Sequence, residues 1–261
     1  MRSGWAAVVT AAGDATRFRP FSSVIPKEML PVGSQPAIEH VIRECARAGA
    51  ATVTTVIRPG DAIIPAYLRQ LAAEGLPADS VEEDLSHGYG NAAPLLTLRG
   101  RLESCDLFAV AFGDDLLLGS DDLSRMVDIA RSGAEAVIAA QAVSRADISA
   151  FGVVDTAPGA PDRVAGIRQR PAPATVTEPL ALVSRLVLRP SIFGVLTPAA
   201  EARGELDLGV AVGQLAQIAD VRVHRITGTW VTVGDPRRYL NALRTYLDFQ
   251  PDPDSGNREP T

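Results

Sequence analysis

Hydrophobic positions in the first half of the chain alternate between two patterns. Residues 5–10, 52–57, 107–112 and 135–143 are short, almost continuously apolar runs, as expected of strands buried on both faces. Between them, apolar positions recur at helical spacing. Residues 37–48 place Ile38, Val41, Ile42 and Cys45 on one face, residues 62–73 read as a helix with Pro65 near its first turn, and residues 123–131 read as another. Asn91 is placed to cap a helix running to about Leu98. This alternation predicts an α/β fold: a mostly parallel sheet flanked by helices, with ligands gathered at the carboxyl ends of the strands.

The second half is less regular. Residues 151–155 and 163–168 pair as a ribbon around the turn Pro158-Gly159-Ala160-Pro161. Residues 181–188 and 221–226 read as strands and 208–218 as a helix, and Pro236 opens a last helix toward Phe249. Residues 250–261 are rich in Pro, Asp, Gly and Asn and lack an apolar period, which predicts a disordered tail. No internal repeat or linker interrupts residues 1–249, so they are expected to form one domain with two sides, roughly 1–143 and 144–249.

Composition narrows the class. At 261 residues, 46% hydrophobic and 21% charged, the chain can bury a sizeable core. No apolar stretch approaches the roughly 20 residues that span a bilayer, and the run at residues 5–9 is too short for a signal-peptide core. The expectation is a cytoplasmic protein with no membrane partner. A net charge of −6, from 25 basic and 31 acidic residues, argues against nucleic acid as a partner. Cys45 and Cys105 are far apart without metal spacing and read as reduced thiols, and His40, His87 and His224 lack zinc-like spacing.

The chemistry concentrates where strands end. The first strand runs into small residues, where the backbone N–H groups of Ala11, Ala12, Gly13 and Asp14 can approach a ligand with little obstruction. Arg17, Arg19 and Lys27 follow within eleven residues, where a polyphosphate would need cations. The pair Asp114-Asp115 follows the strand at 107–112 directly and is placed to hold a divalent ion; the competing reading is a solvated turn, with Asp121 or Asp122 capping the next helix. In Gly88-Tyr89-Gly90-Asn91, paired glycines would let backbone lie against a flat base.

Residues 8–31 as a whole resemble the signature of the sugar-phosphate nucleotidyltransferases, and most closely that of bacterial UTP–glucose-1-phosphate uridylyltransferases. That pattern is Ala-Gly-x-Gly-Thr-Arg-x-x-Pro followed by Pro-Lys-Glu-Met-Leu-Pro. Pro26-Lys27-Glu28-Met29-Leu30-Pro31 matches in full, and the first half matches except that Ala15 replaces the second glycine. The resemblance implies a Rossmann-like, GT-A-like fold, with residues 1–143 on the nucleotide side and 144–249 on the sugar side. It also implies Mg²⁺ or Mn²⁺ as cofactor, and a nucleotide with a sugar phosphate, or a finished NDP-sugar, as small-molecule partner. Self-association is left open.

Carried over residue by residue, the resemblance makes Asp114 a metal ligand and places Gly88 and Asn91 against the base and ribose. Glu83 stands where the family has a base-pairing glutamine; ionised, it accepts without donating and would suit a guanine edge better than uracil. Gly152, in Phe151-Gly152-Val153-Val154, lines the sugar pocket. Gln169-Arg170-Pro171 falls on the family's Glu-Lys-Pro, so Arg170 takes the lysine's place on the sugar phosphate and Gln169 can still hydrogen-bond a sugar. Gly204-Glu205-Leu206 resembles Gly-Glu-Ile. Thr232 occupies the position of the family's second metal carboxylate, with Asp235 as a displaced alternative. The assigned catalytic set is Arg17, Lys27, Asp114 and Arg170.

Three functions compete at this point. The first is a metal-dependent nucleotidyltransferase making an NDP-sugar and pyrophosphate from an NTP and a hexose 1-phosphate. The second is another NDP-sugar enzyme on the same scaffold, such as a flavin-independent pyranose–furanose mutase or a glycosyl transferase, which the changes at Glu83 and Thr232 would suit. The third is a non-catalytic binder of nucleotide sugars.

Overall fold

The computed structural model describes residues 4–196 and 205–249. The expected tail at 250–261 and Gly204 lie outside the described residues.

The first strand, β1 (Trp5–Ala11), has Val8 and Val9 fully buried on opposite faces. After a short hairpin, β2 (Pro31–Val32) with β3 (Gln35–Pro36), come α1 (Ala37–Arg47), β4 (Ala50–Ile57), α2 (Ile63–Ala73) and β5 (Ala78–Glu82). The helix expected after Asn91 is broken into α3 (Ala93–Thr97) and α4 (Arg99–Leu102) at Leu98. Next are β6 (Phe108–Phe112), β7 (Asp115–Leu118), α5 (Asp122–Arg131) and β8 (Ala136–Ala142). The ribbon is β9 (Gly152–Ala157) with β10 (Ala160–Gln169), turning at Gly159 and pairing Gly152 with Gln169. The chain continues through β11 (Leu180–Leu188), α6 (Leu208–Leu215), β12 (Val221–Arg225), β13 (Thr229–Thr232) and α7 (Pro236–Phe249).

A nine-stranded sheet runs β5-β4-β1-β6-β11-β8-β12-β10-β9. Its first four strands are parallel; β11 is antiparallel to both β6 and β8, and joins the two sides of the molecule. Side chains alternate across it. Ala7, Val9, Ala109 and Ala111 face α1, α2 and α5, whereas Val8, Phe108 and Val110 face α3, α4 and α6. Both faces are therefore covered, which accounts for the unbroken apolar runs of the central strands. Among the described residues no helix is long and apolar enough to cross a membrane.

Asp122, in the first turn of α5, does not cap that helix. Its carboxylate accepts hydrogen bonds from Thr227 N and Gly228 N and meets His224 Nε2 at 2.8 Å, holding the β12–β13 turn. Because β1 and β6 are parallel neighbours, with Thr10 beside Phe112, the loops leaving their carboxyl ends emerge side by side. That topology places residues 12–29 against Asp114.

Candidate active site

After Ala11 the chain turns sharply at Ala15, which lies in the left-handed region (φ 47°, ψ 38°). Its carbonyl accepts from Phe18 N (2.9 Å) and Ser22 Oγ (2.8 Å), so the turn is fastened from both following segments. Ala11 is buried, Ala12 half-buried and Gly13 exposed. The exposed Asp14 pairs with Arg58 at 3.6 Å. Lys27 folds back and makes an ion pair with Asp114, while Glu28 Oε1 stands 3.6 Å from the same ammonium. Burial alone would lower the Lys27 pKa, but the charges of Asp114 and Glu28 outweigh it and raise it. Glu28 is buried and its Oε2 has no hydrogen-bond partner; burial pushes its carboxyl up to about 7, against the opposing pull of Lys27.

Asp114 is held from behind by a buried polar network. Asp115 accepts a hydrogen bond from Ser184 of β11, and burial, followed by the Asp114 charge, pushes its carboxyl up to about 6. Arg185, fully buried on β11, donates to both carboxylate oxygens of Glu44 on α1 (Nη2–Oε2 2.8 Å) and to the Asp115 carbonyl (2.8 Å). Ser184, Arg185 and Glu44 carry no motif, and only tertiary structure brings them to the Asp114-Asp115 corner.

Thr232 reaches the same corner from β13, which pairs it with Asp115. Its hydroxyl donates to the Asp114 carbonyl (3.3 Å) and accepts from Gly234 N (3.1 Å), so it fastens backbone to backbone. Asp235 caps α7: its Oδ1 accepts from Arg238 N (2.9 Å), and its Oδ2 faces Arg17 (3.7 Å) and Arg238 Nε (3.4 Å). Its carboxylate is thus spent on the helix start and two guanidinium groups.

On the sugar side, Arg170 also adopts a left-handed backbone (φ 45°), with its N–H donating to the Phe151 carbonyl (3.0 Å) and its side chain exposed. Gln169 donates to Asp207 Oδ1 (2.8 Å), and that oxygen also accepts from Val210 N (2.9 Å), capping α6. Asn91 joins the same cluster, donating to Asp207 Oδ2 (3.3 Å) and accepting from Leu208 N (2.6 Å). Asn91 therefore supports the start of α6, not the helix that follows it in sequence. A Cβ on Gly209 would come within 2.6 Å of Gln169 Nε2, so a larger residue there would push that amide from Asp207. Sequence reasoning misses Asp207; an Asp just before the apolar period at 208–218 is the N-cap signal that points to it.

Glu83 and Gly88 lie farther along the same edge. Glu83 is half-buried; burial, then the nearby Asp14 charge, raises its pKa. Gly88 is exposed. Gly90 (φ 128°) lies directly on the backbone of Leu206, which its neighbours bind through Leu206 N to Tyr89 O (2.8 Å) and Ala92 N to Leu206 O (3.0 Å). A cleft of about 290 Å³ opens between the two sides of the molecule. It brings together Arg17, Asn91, Asp114, Gly152, Gln169, Arg170 and Thr232. Ala11, Ala12, Gly13, Asp14, Lys27, Glu83, Gly88 and Asp235 are not in its lining; Lys27 meets it through Asp114.

The model of the nucleotidyl transferase family matches residues 6–248, which is nearly the whole described chain. The chain belongs to that family. Among other nucleotidyl transferases, it is 27% identical to a UTP–glucose-1-phosphate uridylyltransferase of Staphylococcus saprophyticus, over 95% of this chain and 93% of the relative. It is 26% identical to the UTP–glucose-1-phosphate uridylyltransferase YngB of Bacillus subtilis, over 88% and 84%. The UTP-bound UGPase from Acinetobacter baumannii superposes with a TM-score of 0.79 at 28% identity, covering 95% of each chain. A UDP-glucose pyrophosphorylase complexed with UDP-glucose gives 0.82 at 22% identity, a likeness of fold that covers 95% of this chain and 100% of that one. The nucleotide-diphospho-sugar transferase fold expected from residues 8–31 is the fold observed.

Among the described residues, no three His, Cys, Asp or Glu side chains cluster as a protein cage for a metal ion. A site with one carboxylate could still hold a divalent ion, with substrate phosphates and water as its other ligands. Asp114 would be that carboxylate.

Proposed function

We propose that this protein transfers a nucleotidyl group from a nucleoside triphosphate, UTP first among candidates, to a hexose 1-phosphate such as glucose 1-phosphate. A phosphate oxygen of the sugar bonds to the α-phosphorus, the α–β bridging P–O bond breaks, and pyrophosphate leaves with the electron pair. The reaction asks the protein for positioning and for neutralisation of developing charge. The observation that carries the reading is that Lys27, from the run Pro26–Pro31, meets Asp114 at the end of β6, on the edge of a cleft that also holds Arg17 and Arg170.

In this reading the loop at residues 11–14 receives the triphosphate on its backbone N–H groups. Lys27 and Arg17 balance the β- and γ-phosphates, and Arg170 holds the sugar phosphate in line. Gln169 and Gly152 bound the sugar. A divalent ion on Asp114, when bound, would neutralise the α-phosphate and the departing pyrophosphate. Glu83, half-buried and with its pKa raised by burial, is the candidate contact for the base.

Pyrophosphate release measured with each nucleoside triphosphate, a panel of sugar 1-phosphates and Mg²⁺ or Mn²⁺ tests the proposal. Release with UTP and a hexose 1-phosphate is expected. No release from any pair, together with rearrangement of a finished NDP-sugar, would replace this reading with the isomerase one.

A further inference from the structure

On α7, Arg237, Asn241 and Arg244 stand at helical i, i+4, i+7 spacing and all three are exposed. Arg237 and Arg244 make no hydrogen bond or ion pair among the described residues. In a chain with a net charge of −6, these two guanidinium groups, unpaired among the described residues, make one helix face locally positive. They line a groove of about 720 Å³, distinct from the cleft, that runs between α7 and residues 141–151.

The opposite wall is aromatic. The Phe151 and Trp230 rings meet edge to face at 5.3 Å, and Arg238 lies over Phe151 at 5.1 Å. Phe151, Trp230, Thr232 and Arg238 border both the groove and the cleft, so the two share a wall. Trp230 Nε1 and Gln141 Oε1 belong to groove residues but are themselves buried without a hydrogen-bond partner. Asp147 also borders the groove, but its carboxylate accepts from Ser144 Oγ (2.7 Å) within its own turn.

We propose that this groove is a second ligand site, for a small molecule that joins a phosphate to a polar ring, such as a sugar phosphate or a nucleoside monophosphate. The phosphate lies between Arg237 and Arg244, where guanidinium forks match its oxygens. The ring lies against Trp230, as sugars and bases do on indole faces. A ligand so placed rests on the back of the wall that borders the cleft, and occupancy of one therefore bears on the other.

The test is calorimetric titration of the full-length protein with glucose 6-phosphate, uridine monophosphate and inorganic phosphate, repeated on R237Q/R244Q and on Asn241→Asp. At least one ring-bearing phosphate should bind the wild type about tenfold or more tighter than inorganic phosphate does. Both variants should weaken that binding about tenfold or more, with pyrophosphate-release turnover unchanged in the absence of the added ligand. Far-UV circular dichroism checks that the variants, altered only at exposed positions, are folded. Identical titrations in wild type and R237Q/R244Q would overturn the proposal, as would no binding of any of the three at millimolar concentration. Binding of an oligonucleotide that depends on Arg237 and Arg244, with no small phosphate bound, would also overturn it. The readout is binding, so it stands or falls separately from nucleotidyl transfer.

Discussion

Gln169 donates its side-chain amide to Asp207 at 2.8 Å, tying the end of β10 to the start of α6 at the edge of the cleft. The pairing suits an amide at Gln169, the position where the family pattern that the sequence resembles has glutamate. Gln169→Glu would set two carboxylates against each other at hydrogen-bond distance, and one could relieve the repulsion only by keeping a proton. The variant is expected to lose about 1–2 kcal/mol of stability at neutral pH. Adding Asp207→Ser should restore much of it, because a serine hydroxyl can still accept from Val210 N and cap α6 while the opposing charge is gone. Denaturation of the two single variants and the double variant measures the coupling; strictly additive losses would contradict it.

Arg185 is a positioning residue for the Asp114-Asp115 corner. Arg185→Met would strand the buried Glu44 carboxylate and remove a donor from the Asp115 carbonyl. Breaking one side of such a pair costs about 3–5 kcal/mol, whereas replacing both sides with apolar groups costs far less. Arg185→Met should therefore be strongly destabilised, and Arg185→Met/Glu44→Leu should recover most of the loss in urea unfolding. A single variant within about 1 kcal/mol of wild type would show that the network does not support the corner as described.

Ala15 holds a left-handed backbone that an L side chain reaches at a cost of about 1–2 kcal/mol. Ala15→Gly removes that cost and adds about 0.5–1 kcal/mol of unfolded-chain entropy. The expected outcome is a small net gain in stability with the loop geometry kept, read as a higher Tm. A clear loss of stability would indicate that the Ala15 methyl group makes a contact worth more than the strain.

Much of the fold is legible in the sequence because its central strands are covered on both faces and its helices carry a single apolar stripe. The strands that escape the sequence are those without that signature. β5 is a charged edge strand, Ala78–Glu82, and β7 and β13 are four-residue strands that pair with each other outside the main sheet. Residues that sit in a motif, such as Lys27, Asp114 and Arg170, are legible as candidates, and the structure brings Asp114 and Arg170 to one cleft with Lys27 paired to Asp114. The site is not legible where the role depends on a partner distant in sequence. Glu44 and Arg185 are separated by 141 positions, and Asn91 and Asp207 by 116. Asn91 shows the limit of local reading: its position suggests a cap on the next helix, but tertiary packing gives it to α6.

Glu28 makes stability depend on pH in a definite direction. Its folded pKa of about 7 lies above the ordinary 4.5, so between those values the native state holds a proton that the unfolded chain has released. Stability from this group is present in full at low pH and falls as pH rises from about 4.5 through about 7, by up to about 3 kcal/mol. Glu28→Gln removes the titration. Urea unfolding at intervals across that range should show a falling slope in wild type that is flattened in Glu28→Gln. The same slope in both proteins would assign the pH dependence elsewhere.

The central claim is that Asp114, engaged by Lys27, organises nucleotidyl transfer. The most direct measurement is pyrophosphate release from UTP and glucose 1-phosphate with saturating Mg²⁺, comparing wild type with Asp114→Asn. The account predicts release by wild type in a one-to-one ratio with NDP-sugar, and a loss of about 100-fold or more in the variant. Wild-type turnover in Asp114→Asn would contradict it.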